Sequence, residues 1–538
     1  MLPWLAVAAS AGLGPAHVLV LYNAASPEAA DVAEHYAIMR SLLPEQLCPV
    51  DGVDPEARSL SWEDYQATVQ PALVACLASQ PDPDRIDALV TVRGLPPRVD
   101  LPGYPASLQA VLQVEGARYG DAPLVGQPQE GSAWVDNPTF VDGACASDEL
   151  TLSNPYASWY TTGCALGRLD RWPRGFERAA VDHPWYAGGL YVMGRLDGFD
   201  FADARDLVDR GVAADGAMPG APMVCMAAAD AARGARDPEC ERVVRLLAAK
   251  GHAATWLPEH NAALSGLEVS AYVTGASNLI GAIDGLSYAP GAFADNLTSY
   301  GAVPENLWCA GADCPGAESQ TSIARFIRAG ATGAVGTVAE PLNNCFPNAG
   351  SLLYYREGYS LGESLLYAQR FLYWQVLLLG DPLATPFAVR PTVGMDPDVP
   401  EGTPLTVWAE HPDGVQEVRL YADGVEVARA EGDRLDWVPP GIDGDEVEVL
   451  AVAVRRNPMQ DVSGWGVEAH RPRPDVQGWQ RVVVRVGPAP EPSDTGVVTD
   501  TGASKDSEAG CGCSTSGPPG GQLLVGLLVL AGCRRRSR

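Results

Sequence analysis

The sequence predicts an α/β layered domain with a largely parallel sheet, followed by a small all-β sandwich. Two observations carry that expectation. From residue 17 to about residue 389, short apolar runs alternate with segments of helical pattern, the order that builds βαβ units. After Pro391 the apolar period changes to two, and about 95 residues read as antiparallel strands joined by tight turns. At 538 residues, 46% hydrophobic and 19% charged, the chain is long enough for such domains and a sizeable core.

The first run, HVLVLY at 17–22, is continuously apolar, as expected of a strand buried on both faces of a parallel sheet. Ser26-Pro27-Glu28 then opens a helix, with serine as N-cap, proline at the first helical position and an acid in the first turn. Further strands are expected at 88–92, 190–194, 222–226, 254–257, 268–274 and 331–338, and helices at 202–214, 238–250, 319–329 and 361–374. Residues 101–178, with Gly, Pro, Trp and two Cys, read as a long irregular insertion over one sheet edge. In the second part, strands at 417–422 and 425–430 flank Asp423-Gly424, a strong hairpin signal. Residues 446–454 alternate, and 480–486 form another strand.

Acidic residues outnumber basic ones 67 to 37, for a net charge of −30. A field of that sign repels phosphate backbones, so no nucleic-acid partner is expected. Lys250 and Lys505 are the only lysines, a bias that points to a GC-rich genome more than to a function. Residues 1–16 read as a signal peptide: residues 1–11 are apolar and end in Ala9-Ser10-Ala11, with cleavage near Ala11 or Ala16. Twelve cysteines suit an oxidising compartment. Nine of them lie before the tail, and pairing neighbours among these (Cys48–Cys76, Cys145–Cys164, Cys225–Cys240, Cys309–Cys314) leaves Cys345 over, although sequence does not fix connectivity. Cys309 and Cys314 lack a second ligand pair, which favours a small disulfide loop over zinc.

Residues 488–508 have the Pro, Ser, Thr, Asp and Gly of an unfolded linker after the sandwich of 390–487. Then follow Gly510-Cys511-Gly512-Cys513, an uncharged stretch with the apolar core 523–533, and Arg534-Arg535-Arg536, which suit the cytoplasmic side of a membrane. This tail, 509–538, resembles the MYXO-CTERM sorting signal of myxobacteria and their relatives. The resemblance implies processing or lipidation at Cys511 and Cys513, a sorting protease as partner, a C-terminal membrane anchor, and export to the cell envelope or surface. The apolar core is short for that family.

Ligands of open α/β sheets bind beyond the carboxyl ends of the strands. The polar residues expected there are Asn23, Arg93, Arg195 with Asp197, Ser277 with Asn278, and Glu340. An arginine beside carboxylates suits an anionic or polyhydroxylated ligand, and equally a structural ion pair. Several other motifs carry no chemistry. Asp494-Thr495-Gly496 and Asp500-Thr501-Gly502 spell the aspartic-protease triplet, but that site needs carboxylates held about 3 Å apart on a rigid fold. Gly275-Ala276-Ser277-Asn278-Leu279 lacks the last glycine of a nucleophile elbow. His252 and His260 have no helical metal-binding spacing, and no Walker loop or dinucleotide fingerprint follows a strand. No metal and no cofactor are therefore expected.

Residues 266–387 carry a second resemblance. Strand 268–274 followed by Gly275, a segment ending at Ser299, the unit SIARFIRAGATGAVGTVAEP, and GESLLYAQRFLYWQVLLLGDPLATPF with its Gly380-Asp381-Pro382 are similar to gingipain-type, caspase-like cysteine peptidases. With ALVTVRGLPPRV at 88–99 and YVMGRLDG at 191–198, the pattern over 17–389 is closer to an uncharacterised family of secreted bacterial proteins that share this caspase-like half. YADGVEVARA in the sandwich looks like bacterial immunoglobulin-like repeats, whose default role is a stalk. The resemblance implies a caspase-like layered domain followed by an immunoglobulin-like sandwich. The peptidases end one strand in Gly-His and the next in Ser-Cys. Here Ala276 and Ser299 stand at the equivalent positions, so the base and thiol are both missing. Three functions follow as expectations: a surface protein that binds an unidentified ligand; a hydrolase with Glu340 as general base, Arg195 stabilising developing charge and Asp197 beside it; and a purely structural surface protein.

Overall fold

In the computed structural model, the first apolar run becomes a strand buried at nearly every position, β1 (Val18–Asn23). The structure describes residues 13–115, 135–136, 191–260, 264–309, 320–369, 371–441, 444–455, 459–461, 470–472 and 475–488. The expected signal peptide, Cys145, Cys164 and Cys314, most of the expected insertion, the linker and the sorting tail with Cys511 and Cys513 lie outside the described residues.

Nine further strands join β1: β2 (Leu47–Val50), β3 (Ala88–Val92), β4 (Val192–Leu196), β5 (Met223–Met226), β6 (Ala254–Leu257), β7 (Leu267–Thr274), β8 (Leu286–Asn296), β9 (Gly333–Thr337) and β10 (Val376–Gly380). They form one ten-stranded sheet in the order β6-β5-β7-β8-β9-β10-β4-β3-β1-β2. All run parallel except β10, which lies antiparallel between β9 and β4. The fold is therefore mixed α/β with a large, largely parallel sheet. The unbroken burial of β3, β4, β5, β9 and β10 shows both faces covered.

The first helix, α1 (Pro27–Arg40), begins as the sequence requires: the Ser26 side chain accepts from Ala29 N and Pro27 occupies the first turn. Helices α2 (Phe201–Ala214) and α3 (Asp237–Ala249) follow β4 and β5. Several boundaries differ from expectation. The strand expected at 190–194 is shifted to Val192–Leu196, which puts Arg195 inside the strand, opposite Thr91 and Gly380, instead of beyond its end. The helix expected at 319–329 is Ala324–Arg328 among the described residues, and the one expected at 361–374 ends at Ala368. Strand β10 follows, in a place where the apolar run alone did not distinguish helix from strand.

The start of the expected irregular insertion is regular and buried. Strands Arg98–Leu101 and Tyr104–Ser107 pair with each other, and helix Leu108–Gln113 follows, capped by Ser107. Its Gln109 amide donates to Leu378 O (2.9 Å) and accepts from Leu378 N (2.7 Å). The side chain thus completes the hydrogen bonding of β10 where β4 pairs with it only at Gly380.

After Arg390 the chain forms a three-stranded and a five-stranded sheet around a separate apolar core that includes Leu405, Val418, Leu420, Val449 and Val484. The hairpin turn has positive φ at both Asp423 (47°) and Gly424 (76°), as a two-residue primed turn needs. Strand Glu446–Arg455 departs from simple alternation, because it buries both faces. Val449, Ala451 and Ala453 enter the sandwich core, while Leu450, Val452 and Val454 pack with Tyr421 and Trp479 against Ala16 and Leu43. The sandwich is therefore seated on the amino-terminal edge of the large sheet, beside the start of β1 and the end of α1.

Two expected disulfides are present, Cys48–Cys76 and Cys225–Cys240. Cys309 is also disulfide-bonded, and Cys345 is a buried free thiol that burial pushes up to about 12. No helix among the described residues is long and apolar enough to cross a membrane.

Candidate functional site

The carboxyl ends of the nine parallel strands share one edge of the sheet. The chain runs outward from β1 to β2 and then crosses back to β3 on the other side of β1, so a crevice opens between β1 and β3. Asn23 ends β1 and is fully buried. Its amide donates to Val53 O (3.1 Å) and Gly94 O (2.8 Å), and its Oδ1 accepts from Ala25 N (2.9 Å). Asn23 thereby holds together the loops after β1, β2 and β3.

Arg93 follows β3 and meets Asp197, which follows β4. The Arg93 Nη1 donates to Asp197 Oδ1 (3.0 Å) and Gly198 O (2.8 Å). Its guanidinium lies 5.3 Å from the Phe201 ring centroid and 5.1 Å from that of Trp308, distances typical of cation–π contact. Asp197, wholly buried, also accepts from Arg195 Nε (2.8 Å), Gly198 N (2.7 Å) and Trp308 Nε1 (3.1 Å). Arg195 is equally buried and donates to Leu95 O (2.6 Å), leaving Nη1 without a partner. Burial draws the Arg195 pKa down, and Asp197 opposes that shift. Asp197 is thus the centre of the cluster, and Arg195 fixes it from inside the sheet.

Arg93 is the member that reaches solvent, with its side chain 17% exposed. It lines a cleft of about 180 Å³ with Ser26, Glu28, Glu56, Phe201 and Trp308. Gly94, at φ +98°, forms part of the wall; a Cβ there would stand 3.3 Å from the Ala29 methyl. A second void, of about 30 Å³ between Gln109, Met193, Leu365 and Val376, has room for little more than a water.

The ends of β7 and β8, where the resemblance locates the peptidase dyad, have a different character. Ala276 is 1% exposed, and its N–H and carbonyl are both bonded to the Asn296 side chain (2.8 and 2.9 Å). The 228–233 loop closes over this strand end: Ala229 N donates to Gly275 O (2.7 Å), and a Cβ on Gly275 would stand 2.9 Å from Arg233 O. Ser299, three residues past β8, donates to Glu340 Oε1 (2.7 Å) at the surface. Beneath them, Arg236 holds Asp295 through two hydrogen bonds of 2.6 and 2.8 Å, a buried pair that braces the strand end.

The structure thus brings Asn23, Arg93, Arg195 and Asp197 to one end of the crevice and gives Glu340 to Ser299. A buried Arg195 engaged with Asp197 and an exposed Glu340 do not form the joint hydrolase site expected from strand-end position. Ser277 and Asn278 serve the backbone: Ser277 O accepts from Thr321, and Asn278 Oδ1 accepts from Ile280 N (3.1 Å). Phe201 and Trp308 were missed in the sequence. Phe201 stood just before the helix expected at 202–214, and Trp308 carried no signal, because it reaches Asp197 across 111 positions of sequence.

No family model matches the chain, and no curated protein matches it. The chain is similar to a solved structure described as "Structure of Protease", with 10% identity and a TM-score of 0.42 over 88% of this chain and 98% of that one. It is also similar to fibronectin(III)-like modules of Clostridium thermocellum CbhA, with 16% identity and a TM-score of 0.12 over 22% of this chain and 57% of that one. At these scores neither likeness bears on the function.

Proposed function

We propose that this chain is a secreted, envelope-anchored bacterial surface protein whose caspase-like α/β domain lacks the peptidase dyad and binds a small ligand at the Arg93 cleft. Export is supported by the disulfides Cys48–Cys76 and Cys225–Cys240, which belong to oxidising compartments, and by the composition of the two chain ends. Loss of the dyad is supported by Ala276 and Ser299 at its two positions. The observation that carries the binding role is Arg93 itself. Asp197, Phe201 and Trp308 hold its guanidinium in place, while Nε and Nη2 have no hydrogen-bond partner among the described residues and the side chain lines a cleft at a strand-order switch.

The test is thermal unfolding of the intact chain against a panel of polar metabolites grouped as carboxylates, amino acids, amines and sugars, with Arg93→Ala alongside. Stabilisation by one class, absent from the variant, is the expected result. Equal stabilisation of both proteins, or none from any class, overturns binding at this cleft.

The Ser299–Glu340 hydrogen bond favours a second reading, a hydrolase in which Glu340 takes the Ser299 proton. Fluorophosphonate labelling of the intact chain decides it: a labelled Ser299 that disappears in Ser299→Ala supports the hydrolase, and no labelling excludes it.

A further inference from the structure

We propose that the ligand of the Arg93 cleft is a small zwitterion of the size and charge of an α-amino acid; this rests on the binding role given to that cleft. The argument is one of complementary charge. Arg93 presents Nε and Nη2 as donors with no acceptor among the described residues, and a planar guanidinium edge of that kind matches a carboxylate. The same cleft is lined by the exposed side chains of Glu28 and Glu56, neither of which has an ion-pair partner among the described residues. Asp197 is shared between Arg93 and Arg195, so the cluster keeps one net positive charge. A simple anion would therefore face two carboxylates against that single positive charge, and a simple cation would leave the Arg93 donors without an acceptor. A molecule with a carboxylate at one end and an ammonium at the other satisfies both sides.

Size and surroundings point the same way. Ligand pockets for drug-sized molecules run to about 300–1,000 Å³, so a cleft of about 180 Å³ takes something smaller. Phe201 and Trp308 hold Arg93 in one orientation, so little side-chain entropy is lost when it engages a ligand. The chain's net charge of −30 also disfavours a ligand that brings only negative charge.

The experiment titrates the intact chain with each of the common L-amino acids. The same titration is then run with their amine-free carboxylates (acetate, propionate, 4-methylpentanoate) and carboxylate-free amines (methylamine, ethylamine, 3-methylbutylamine). At least one amino acid is expected to bind, with its amine-free and carboxylate-free analogues weaker by at least about tenfold, the effect of one charge-assisted contact. Arg93→Ala should remove the discrimination against the free amines, and the Glu28→Gln/Glu56→Gln double variant should remove that against the free carboxylates. Both glutamates are exposed, so that double variant folds and keeps the test decisive if Arg93→Ala does not. A carboxylate that binds as tightly as its amino acid overturns the zwitterion while leaving a binding cleft. Silence from all three sets overturns it too, and sugars in the wider panel then decide whether the cleft binds anything.

Discussion

At the scale of single residues, burial rather than motif sets the chemistry. Asp237 opens α3 and accepts from Ala228 N (3.1 Å), with Arg236 and His260 nearby, yet burial pushes its carboxyl up to about 6. The unfolded group titrates near 3.8, so between these values the native state binds the extra proton and stability falls as pH rises. Asp237→Asn keeps the acceptor for Ala228 and removes the titration. Urea midpoints of the variant should stay level across that window while those of the wild type decline, by on the order of 1–2 kcal/mol for a half-buried carboxyl. Parallel curves would show that another group carries the dependence. Asp381, the centre of the Gly380-Asp381-Pro382 motif, is fully buried and accepts from Tyr36 Oη (2.7 Å) and Arg40 Nε (2.7 Å). Burial works against the Arg40 charge, but Asp215 and Asp381 outweigh it and raise its pKa. The motif is therefore a structural anchor, with no open side to a ligand.

At the scale of elements, close approach decides which residues the central strands tolerate. A Cβ on Gly194 of β4 would stand 2.8 Å from Gly380 O and collide with the Pro382 ring. Gly194→Ala should destabilise the protein by about 1–3 kcal/mol through overpacking, read as a lower denaturation midpoint with an unchanged m-value. A neutral result would mean that β4 and β10 can separate. The same contact explains why the YVMGRLDG run pairs with Gly380-Asp381-Pro382, nearly two hundred residues later. Neither run alone announces the other.

At the scale of the whole molecule, the second module is seated on the first and is no free spacer. Arg390, at the junction, donates to Asp215 (2.8 Å), Gln477 O (2.9 Å) and Leu383 O (2.7 Å), and its guanidinium lies 4.4 Å from the Trp479 ring centroid. Asp215 is shared with Arg40, which leads on to Asp381, so one buried charge network joins the sandwich to the middle strand of the sheet. Arg390→Ala leaves Asp215 with Arg40 but cuts the link to the sandwich. Limited proteolysis should then cleave near residues 387–391 several times faster than in the wild type, a measure of local opening. Equal rates would mean that the apolar contact of Leu450, Val452 and Val454 holds the modules together without the charge network. The sandwich takes the amino-terminal edge, so the Arg93 cleft at the carboxyl edge faces away from it.

Sequence alone determined the elements whose signals are local. The strand at 88–92, the Ser26-Pro27 start of α1 and the Asp423-Gly424 turn depend on neighbours a few residues apart, where periodicity and φ preference act. It also placed Asn23 and Arg93 at strand ends, because β1 and β3 ended legibly, whereas it ended β4 two residues early, so that Asp197 lies beyond the strand and Arg195 does not. It named no strand at β10 and carried the helix before it to 374, since an apolar run buried on both faces has no period to read. Nor did it show that residues 446–454 bury both faces, which depends on a partner more than four hundred residues away at Ala16 and Leu43. The cleft itself was decided only by tertiary structure. Trp308 and Phe201 clamp Arg93, and Glu28 and Glu56 line the same cleft, because chain crossing the sheet brings together residues that share no local pattern.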